Sequence, residues 1–384
     1  MAFFRSDIKP SGLSVDTLAV TTLPTKVSYT VGETLDTTGI VVTATASGMS
    51  GDVSSSCTYS PTTLSTTGTI AITVTYQNTT TTFNVTVEEQ IGTLEQTSWS
   101  TIQRIGAAGT GSQYWAVGDT KSLTIGGSFG GVTIPSASYS QNTTVKAYVI
   151  GFNHKSVNGV YFQCFIANYS GTDKKVGFND PLGAGTQKTD GSKVFNMNHW
   201  GNFSYGGWKG CDLRYDILGS TDTAPSGYGS AVASGRTGYD ASSTTATNPV
   251  SNTLMAALPS DLRAVMAPMT IYTDNVGEAD TAGNVTASVD YLPLLAEYEI
   301  FGNSTYANSA EAGYQAQFTY YANGGDKKVN LYTNGKTTVY ITRTYYGKGA
   351  TSARNRFMIL NSSASKDYYD ANRVCTLTPI FRVA

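Results

Sequence analysis

This chain of 384 residues has little charge and little histidine. Lys, Arg, Asp and Glu together make up 14% of it, the formal net charge is −2, and His154 and His199 are its two histidines. Nucleic-acid binding needs an excess of basic residues to neutralise phosphates, so this composition argues against a nucleic-acid partner. With so few charges, the surface must be covered largely by Thr, Ser, Asn, Gly and Tyr.

Long apolar runs are absent as well. No stretch approaches the roughly 20 apolar residues that a membrane-spanning helix needs, so we expect no membrane insertion. The first ten residues contain no apolar signal core and no cleavage site, which predicts a chain that is not exported by the secretory route as written. This expectation favours a protein that is assembled in the cytoplasm of the cell that makes it.

The cysteines follow no pattern of a disulfide framework or a metal site. Cys57, Cys164, Cys211 and Cys375 are scattered, without CxxC spacing. We therefore predict free thiols in a reducing compartment and no bound metal or other cofactor. Cys164 lies within an apolar, aromatic stretch and is predicted to be a core residue.

Catalytic patterns are also scarce. Neither histidine lies in a Gly-x-Ser-x-Gly frame or a comparable one, so no nucleophilic triad is indicated. Asp290, Glu297 and Glu299 could serve glycosidase chemistry if two of them faced each other about 5–10 Å apart across a cleft. The alternative is that they are buried acceptors for Arg214, Arg343 or loop amides, because a buried carboxylate needs partners. We favour the alternative and predict that the protein is not an enzyme.

Gly, Tyr and Thr are abundant, and they indicate strands and turns. After an N-terminal arm at residues 1–12, segments between residues 13 and 88 alternate apolar and polar residues and are separated by short turns. This spacing predicts an all-β sandwich. Phe3, Phe4 and Ile8 in the arm predict docking on a partner protein or on a neighbouring copy of the chain; a disordered tail is the alternative.

The segment from Leu23 to Thr45 resembles the bacterial immunoglobulin-like (group 3 type) repeats of surface and phage proteins. That family has the pattern Y-x-x-G-x-x-L-D-x-x-G-L-x-V-x-A, which is similar here at Tyr29, Gly32, Leu35, Asp36, Gly39, Val41 and Ala44. The resemblance implies an immunoglobulin-like spacer or adhesive module without catalytic residues.

Residues 95–384 mix short helices with strands. Helices are predicted at Trp99–Ala108 with Thr97 or Ser98 as N-cap, at 206–219 ending at Gly219, at 254–266 broken or started by Pro259, and at 311–321. Strands are predicted near Ser122–Ile125 and Val145–Phe152, and residues 220–250 form a predicted surface insertion.

Several landmarks of this region resemble an uncharacterised C-type-lectin-like domain of Gram-positive bacteria and their phages. They are Trp115-x-Val-Gly-Asp, Ile150-Gly-Phe-Asn-His154, Gly-Gly-Trp208, Leu258-Pro-x-x-Leu and above all Leu294-Leu-Ala-Glu-Tyr-Glu-Ile-Phe-Gly302. The resemblance implies an α+β C-type-lectin-like fold. Where the family has Trp-Trp-Leu-Arg-Ser, this chain has Tyr340-Ile-Thr-Arg-Thr344, which keeps the Arg. The calcium signatures of C-type lectins are missing; Asp367, Asp370 and Asn372 are a weaker alternative for cation ligands.

Together these features predict a non-enzymatic bacteriophage virion surface protein, such as a head decoration, neck or tail-fibre adhesin. Its partners would be other virion proteins, through the arm or the immunoglobulin-like domain, and a host surface glycan or protein. The alternatives are a bacterial cell-surface adhesin and a carbohydrate-active enzyme.

The ligand-binding face is predicted in the last segment of the chain. Phe357–Leu360 reads as a central buried strand, and we expect the polar stretches before and after it to lie side by side at one end of the domain. Tyrosine and Arg provide contact area, and Asn and Asp provide hydrogen bonds. The predicted ligand-binding residues are Tyr345, Tyr346, Arg354, Asn355, Arg356, Asn361, Tyr368, Tyr369 and Asp370.

Overall fold

The computed structural model describes residues 14–130, 132–134, 144–180, 182–187, 194–198, 206–220, 246–277, 279–346 and 355–384. The predicted N-terminal arm and most of the 220–250 insertion lie outside the described residues. The chain forms two compact units, Met1–Ile91 and Gly92–Ala384.

The first unit consists of short strands in two sheets. One sheet has the order β1-β3-β4, and the other has the order β2-β7-β6-β5, with β2 parallel to β7. Alternate residues of these strands point inward, and Val42, Ile72, Val74 and Val85 are almost completely buried. The strands are β1 Thr17–Thr22, β2 Ser28–Thr30, β3 Val41–Ala46, β4 Met49–Asp52, β5 Thr58–Ser60, β6 Gly68–Tyr76 and β7 Thr79–Glu88.

The motif residues of this unit have local structural roles. The Tyr29 hydroxyl donates to the carbonyl of Lys26 at 2.9 Å and accepts from the Asp36 amide at 3.1 Å, which ties down the turn between them. Gly39 has a φ of +83°, and a Cβ there would lie 2.9 Å from the Thr25 Cγ2 atom, so a side chain is excluded.

The second unit contains the remaining strands and short helices. Its helices are α1 Trp99–Ala107, α2 Leu254–Ala257, α3 Ser260–Arg263, α4 Glu297–Phe301 and α5 Thr319–Ala322. Its strands are β8 Thr120–Thr124, β9 Gly127–Phe129, β10 Val132–Ile134, β11 Thr144–Phe152, β12 Val160–Tyr169, β13 Thr172–Gly177, β14 Met266–Ala267, β15 Met269–Asp274, β16 Val285–Asp290, β17 Val329–Leu331, β18 Thr337–Thr338, β19 Tyr340–Tyr345, β20 Arg356–Leu360, β21 Lys366–Asp370 and β22 Ile380–Val383.

The largest sheet of the described residues has eight strands and is built around β12. Its path is β14-β22-β12-β13-β17-β18, and β11 pairs with both β12 and β8. The C-terminal strand β22 therefore lies inside the sheet, with Phe162 opposite Phe381. A separate antiparallel sheet has the order β19-β20-β21, and two strand pairs, β9-β10 and β15-β16, complete the architecture.

Two helix predictions are confirmed. Helix α1 begins after Ser98, whose hydroxyl accepts from the Thr101 amide. Pro259 separates α2 from α3, because its missing amide and fixed φ do not fit a helix interior.

Two other helix predictions are wrong in extent. Residues 206–219 form turns and one π-helical turn at Arg214–Leu218, which ends at Gly219 in the left-handed region. Glycines break the earlier part, and Gly207 lets the backbone pass so close to Asp274 that a Cβ would lie 2.4 Å from its carbonyl oxygen. Residues 309–313 form a 3₁₀ turn, and an extended Phe318 separates it from α5.

The four cysteines are free, and Cys164, Cys211 and Cys375 are buried, as predicted for Cys164. Among the described residues, no helix is long and apolar enough to cross a membrane.

A lysine lies in the core beside the large sheet. The Lys175 ammonium is about 5 Å from the ring centres of Tyr148, Tyr320 and Tyr321, and it donates to the Asp326 carbonyl at 2.6 Å. Burial nevertheless lowers the pKa of Lys175 to about 7.

This burial predicts a pH-dependent stability contribution. In the unfolded chain Lys175 keeps its ordinary pKa, so the unfolded state binds more protons above pH 7, and stability from this group rises with pH. Between pH 7 and 9.5 we expect the difference in unfolding free energy between wild type and Lys175→Met to change by about 1 kcal/mol per pH unit in favour of wild type. Denaturant unfolding under reducing conditions measures it. A pH-independent difference would show that Lys175 stays protonated when folded.

The start of the second unit gives another prediction. The carbonyl of Gly92 accepts from the Trp115 indole at 3.3 Å, Leu94 is buried, and the Glu95 carbonyl accepts from Lys121 at 3.2 Å. A fragment 92–384 should melt cooperatively, as should 14–91. A fragment 96–384 should lose about 2 kcal/mol or more, chiefly through Leu94. Equal stability of fragments 92–384 and 96–384 would contradict a start of the second unit at Gly92.

Candidate functional site

The segment from Asp290 to Glu299 carries three buried carboxylates. Asp290 accepts from Arg214 at 2.8 Å (Nε) and 2.7 Å (Nη2), and from the Trp208 indole at 3.1 Å. Glu299 accepts from both Nη atoms of Arg343 at 2.7 and 2.5 Å and from the Ala296 amide at 2.9 Å. For Asp290 and Glu299, the prediction that they are buried acceptors for Arg214 and Arg343 is confirmed.

Glu297 holds a loop instead of an arginine. Its carboxylate accepts from the backbone amides of Thr305, Tyr306 and Ala307 at 2.6, 2.8 and 2.8 Å, and it pairs with Lys366 at 2.7 Å. Residues 305–307 are thereby fixed next to β21, on which Lys366 lies. These contacts are also of the structural kind that we predicted, with loop amides as partners.

His154, which lies within the described residues, packs among aromatic rings. The His154 ring stacks on Phe318 with centroids 3.8 Å apart and meets Tyr161 edge-on at 5.7 Å. Burial lowers the pKa of His154, so it is neutral at pH 7. His199 lies outside the described residues.

The predicted strand Phe357–Leu360 forms most of β20, which is buried and central in its sheet, as expected. The structure brings together only part of the two flanking stretches, Tyr345–Arg356 and Asn361–Arg373. Residues 361–365 form the turn at the far end of β20 from Arg356. Residues 366–370 form the strand β21 and not a loop, and this strand runs back along β20 so that Asp370 lies opposite Arg356.

Four of the predicted residues come together on one face of this sheet. The rings of Tyr346 and Tyr368 stack with centroids 5.4 Å apart and planes at 7°. The Arg356 guanidinium lies 4.5 Å above the Tyr368 ring, and its Nε lies 3.3 Å from Asp370. Arg356 and Asp370 are cross-strand neighbours in β20 and β21.

Tyr306 completes this group and is not among the residues predicted from the sequence. Its ring meets Tyr346 edge-on at 5.1 Å and Tyr368 at 6.0 Å. Tyr306 lies in an irregular loop distant from the others in the chain, and no local pattern marks it. We call Tyr306, Tyr346, Arg356, Tyr368 and Asp370 the tyrosine patch.

The other predicted site residues lie elsewhere. Tyr345 is completely buried against Phe357 and fills the space above Gly277. Tyr369 points to the opposite face of β21, where Arg373 lies 5.4 Å from its ring centre.

Two of the predicted asparagines have structural positions. The Asn361 side chain accepts from the amides of Ser363 and Ser365 and so closes the turn after β20. The Asn355 carbonyl accepts from the Ala371 amide at 2.6 Å. Arg354 lies outside the described residues.

The patch is polar, and its surroundings perturb the pKa of one phenol. Burial, with the Asp367 carboxylate as a further cause, raises the pKa of Tyr306, so its hydroxyl is protonated at pH 7. The alternative cation ligands do not converge: Asp367 is exposed, Asp370 faces Arg356, and Asn372 is buried. Among the described residues, no group of three or more His, Cys, Asp or Glu side chains is arranged to hold a metal ion.

Comparison with known proteins identifies the first unit. Residues 22–87 match the family of the bacterial Ig-like domain (group 3), so this part of the chain is an immunoglobulin-like domain, as its motif predicted. No curated protein matches the chain. The resemblance of the second unit to C-type-lectin-like domains stays a prediction.

The buried ion pairs predict a large difference in stability between two types of variant. Glu299→Gln leaves Arg343 without its counter-charge in the core, and we expect a loss of about 3–5 kcal/mol. The matched control is Lys146→Ala, which removes an exposed ion pair with Asp173 of 2.8 Å and should cost less than about 1 kcal/mol. Denaturant unfolding of fragment 92–384 measures both. Similar losses would mean that Glu299 does not neutralise Arg343 in the folded state.

Proposed function

We propose that this protein is a non-enzymatic binding protein on the surface of a bacteriophage virion, and that the tyrosine patch contacts the host. The second unit would be a C-type-lectin-like display domain, and the immunoglobulin-like domain would attach or space it. The tyrosine patch is the observation that carries the proposal, because it groups aromatic rings and a guanidinium on one face of a rigid sheet.

The physical properties of the patch suit recognition. Tyrosine offers a large contact area at low cost in side-chain entropy, and Tyr and Arg dominate binding hot spots. The rings are held in place before binding, since Tyr346 and Tyr368 stack on each other and Glu297 fixes the backbone of Tyr306. A preorganised surface loses less entropy on binding than a flexible one.

The immunoglobulin-like domain supports the same proposal. The resemblance that its motif carries is to spacer or adhesive modules of surface and phage proteins, and its match over residues 22–87 is clear. The family is described as bacterial, which also favours the second candidate, an adhesin on a bacterial cell surface. In both cases the second unit would carry the binding face.

The carbohydrate-active enzyme has less support. The three carboxylates considered for it, Asp290, Glu297 and Glu299, are buried and each accepts several hydrogen bonds from the fold. A general acid must give up its proton to the substrate, which these contacts do not favour.

The patch predicts a binding defect without a folding defect. Tyr346→Ser and Tyr368→Ser should each weaken the binding of fluorescent protein to Gram-positive cells by about tenfold or more, since each removes ring contact area from the centre of the face. Flow cytometry over a panel of strains measures binding, and calorimetry measures the melting temperature.

Tyr314→Ser is the matched control. Tyr314 is 47% exposed and stacks on Tyr272 at 4.2 Å, so it is a surface tyrosine pair of the same kind away from the patch. Unchanged binding by both patch variants, or an equal loss in the control, would contradict a binding role for the patch.

The location can be tested separately. Antibodies raised against fragment 92–384 should label purified phage particles in electron micrographs. Labelling of bacterial cell walls, with none on particles, would favour the adhesin instead.

A further inference from the structure

Within the tyrosine patch, the Arg356 guanidinium has N–H groups that are free to bind a ligand. Its Nε faces Asp370 at a long 3.3 Å, and its side chain is 32% exposed. Within the part of the chain that the structure describes, neither Nη atom has a hydrogen-bond partner. The guanidinium nevertheless has a packing partner, because its Cζ atom lies 4.5 Å from the centre of the Tyr368 ring.

A guanidinium packed in this way is suited to an oxyanion. Its two Nη atoms form a planar fork that can donate in parallel to two oxygens of a carboxylate or phosphate. By contrast, Lys366 on β21 already donates to Asn303 and Thr305 and pairs with Glu297.

The rest of the patch is suited to a hydroxyl-rich ligand. The phenol groups of Tyr306, Tyr346 and Tyr368 have no hydrogen-bond partner among the described residues, and each can both donate and accept. The exposed residues beside Tyr306, Asn303 and Thr305, are polar too. The patch residues include no aliphatic side chain, whereas protein partners are usually anchored in dry, well-packed pockets.

We propose that the tyrosine patch binds a saccharide that carries an oxyanion, either a carboxylate or a phosphate, and that Arg356 contacts this group. The proposal rests on the proposed binding function of the patch and gives it a ligand class. Asp370 partly offsets the charge of Arg356, so the affinity of a single oxyanion is modest, and repeated contacts on a polymer would strengthen it.

The test uses three defined probes and the full chain. Oligogalacturonate supplies carboxylates, its methyl ester has the same sugars without charge, and phosphomannan, a mannose polymer that carries phosphate groups, supplies phosphates. Isothermal titration calorimetry should show binding of at least one anionic probe. For a carboxylate ligand, we expect the methyl ester to bind at least about tenfold more weakly than oligogalacturonate, because it loses a charge-assisted hydrogen bond. Higher salt should weaken anion binding.

Arg356→Gln should lower affinity for the bound anionic probe by about tenfold, and Arg356→Lys should restore part of it, because Lys keeps the charge and loses the fork. Arg373→Gln is the matched control. Arg373 also lies over a tyrosine, Tyr369, at 5.4 Å, but on the opposite face of β21, and its loss should leave binding unchanged.

Three results would overturn the inference: equal binding of oligogalacturonate and its methyl ester without binding of the phosphate polymer, no binding of either anionic probe at millimolar concentration, or an unaffected Arg356→Gln variant. Cell binding separates this failure from that of the proposed function. If Tyr346→Ser abolishes cell binding and Arg356→Gln does not, the patch binds the host, but this binding does not depend on an oxyanion contact with Arg356. If neither variant changes cell binding, both proposals fail.

Discussion

The buried ion pair between Arg343 and Glu299 is the contact on which the arrangement of the second unit depends. It joins α4 to the outer strand β19, and the backbone amides of Arg343 and Glu297 reinforce this join by bonding to Leu295 and Thr344. From the same helix Glu297 reaches Lys366 on the other outer strand, β21. Two carboxylates of one short helix therefore hold both edges of the three-stranded sheet. Because each charge is desolvated, removing one partner costs far more than removing a surface pair.

The same arrangement produces the tyrosine patch. Glu297 fixes the amides of residues 305–307, which places the Tyr306 ring against the stacked rings of Tyr346 and Tyr368. The contacts of α4 therefore both stabilise the core and position the tyrosine patch. A ligand that binds such a preorganised face does not have to order its side chains. This matters for a protein with few charges, because long-range electrostatic attraction contributes little to its binding.

The sequence predicted the types of residue in the candidate site better than their partners. It indicated two adjacent tyrosine pairs, and in each pair one member faces the patch: Tyr346 and not Tyr345, and Tyr368 and not Tyr369. Alternation guarantees that neighbours in a strand point to opposite faces. It cannot say which face is exposed where both faces of the central strand are buried, as they are for β20.

By itself, the sequence determined the features that depend on local chemistry. These are the immunoglobulin-like domain, predicted between residues 13 and 88 and matched to its family over 22–87, the Ser98 cap of α1, the break at Pro259, and the need of Asp290, Glu297 and Glu299 for buried partners. Only the tertiary structure decided which arginine meets which carboxylate, that Asn361 lies away from the patch, and that Tyr306 belongs to it. Contacts between residues about 40 or more positions apart are set by how the elements pack, and side-chain periodicity within an element carries no information about that packing.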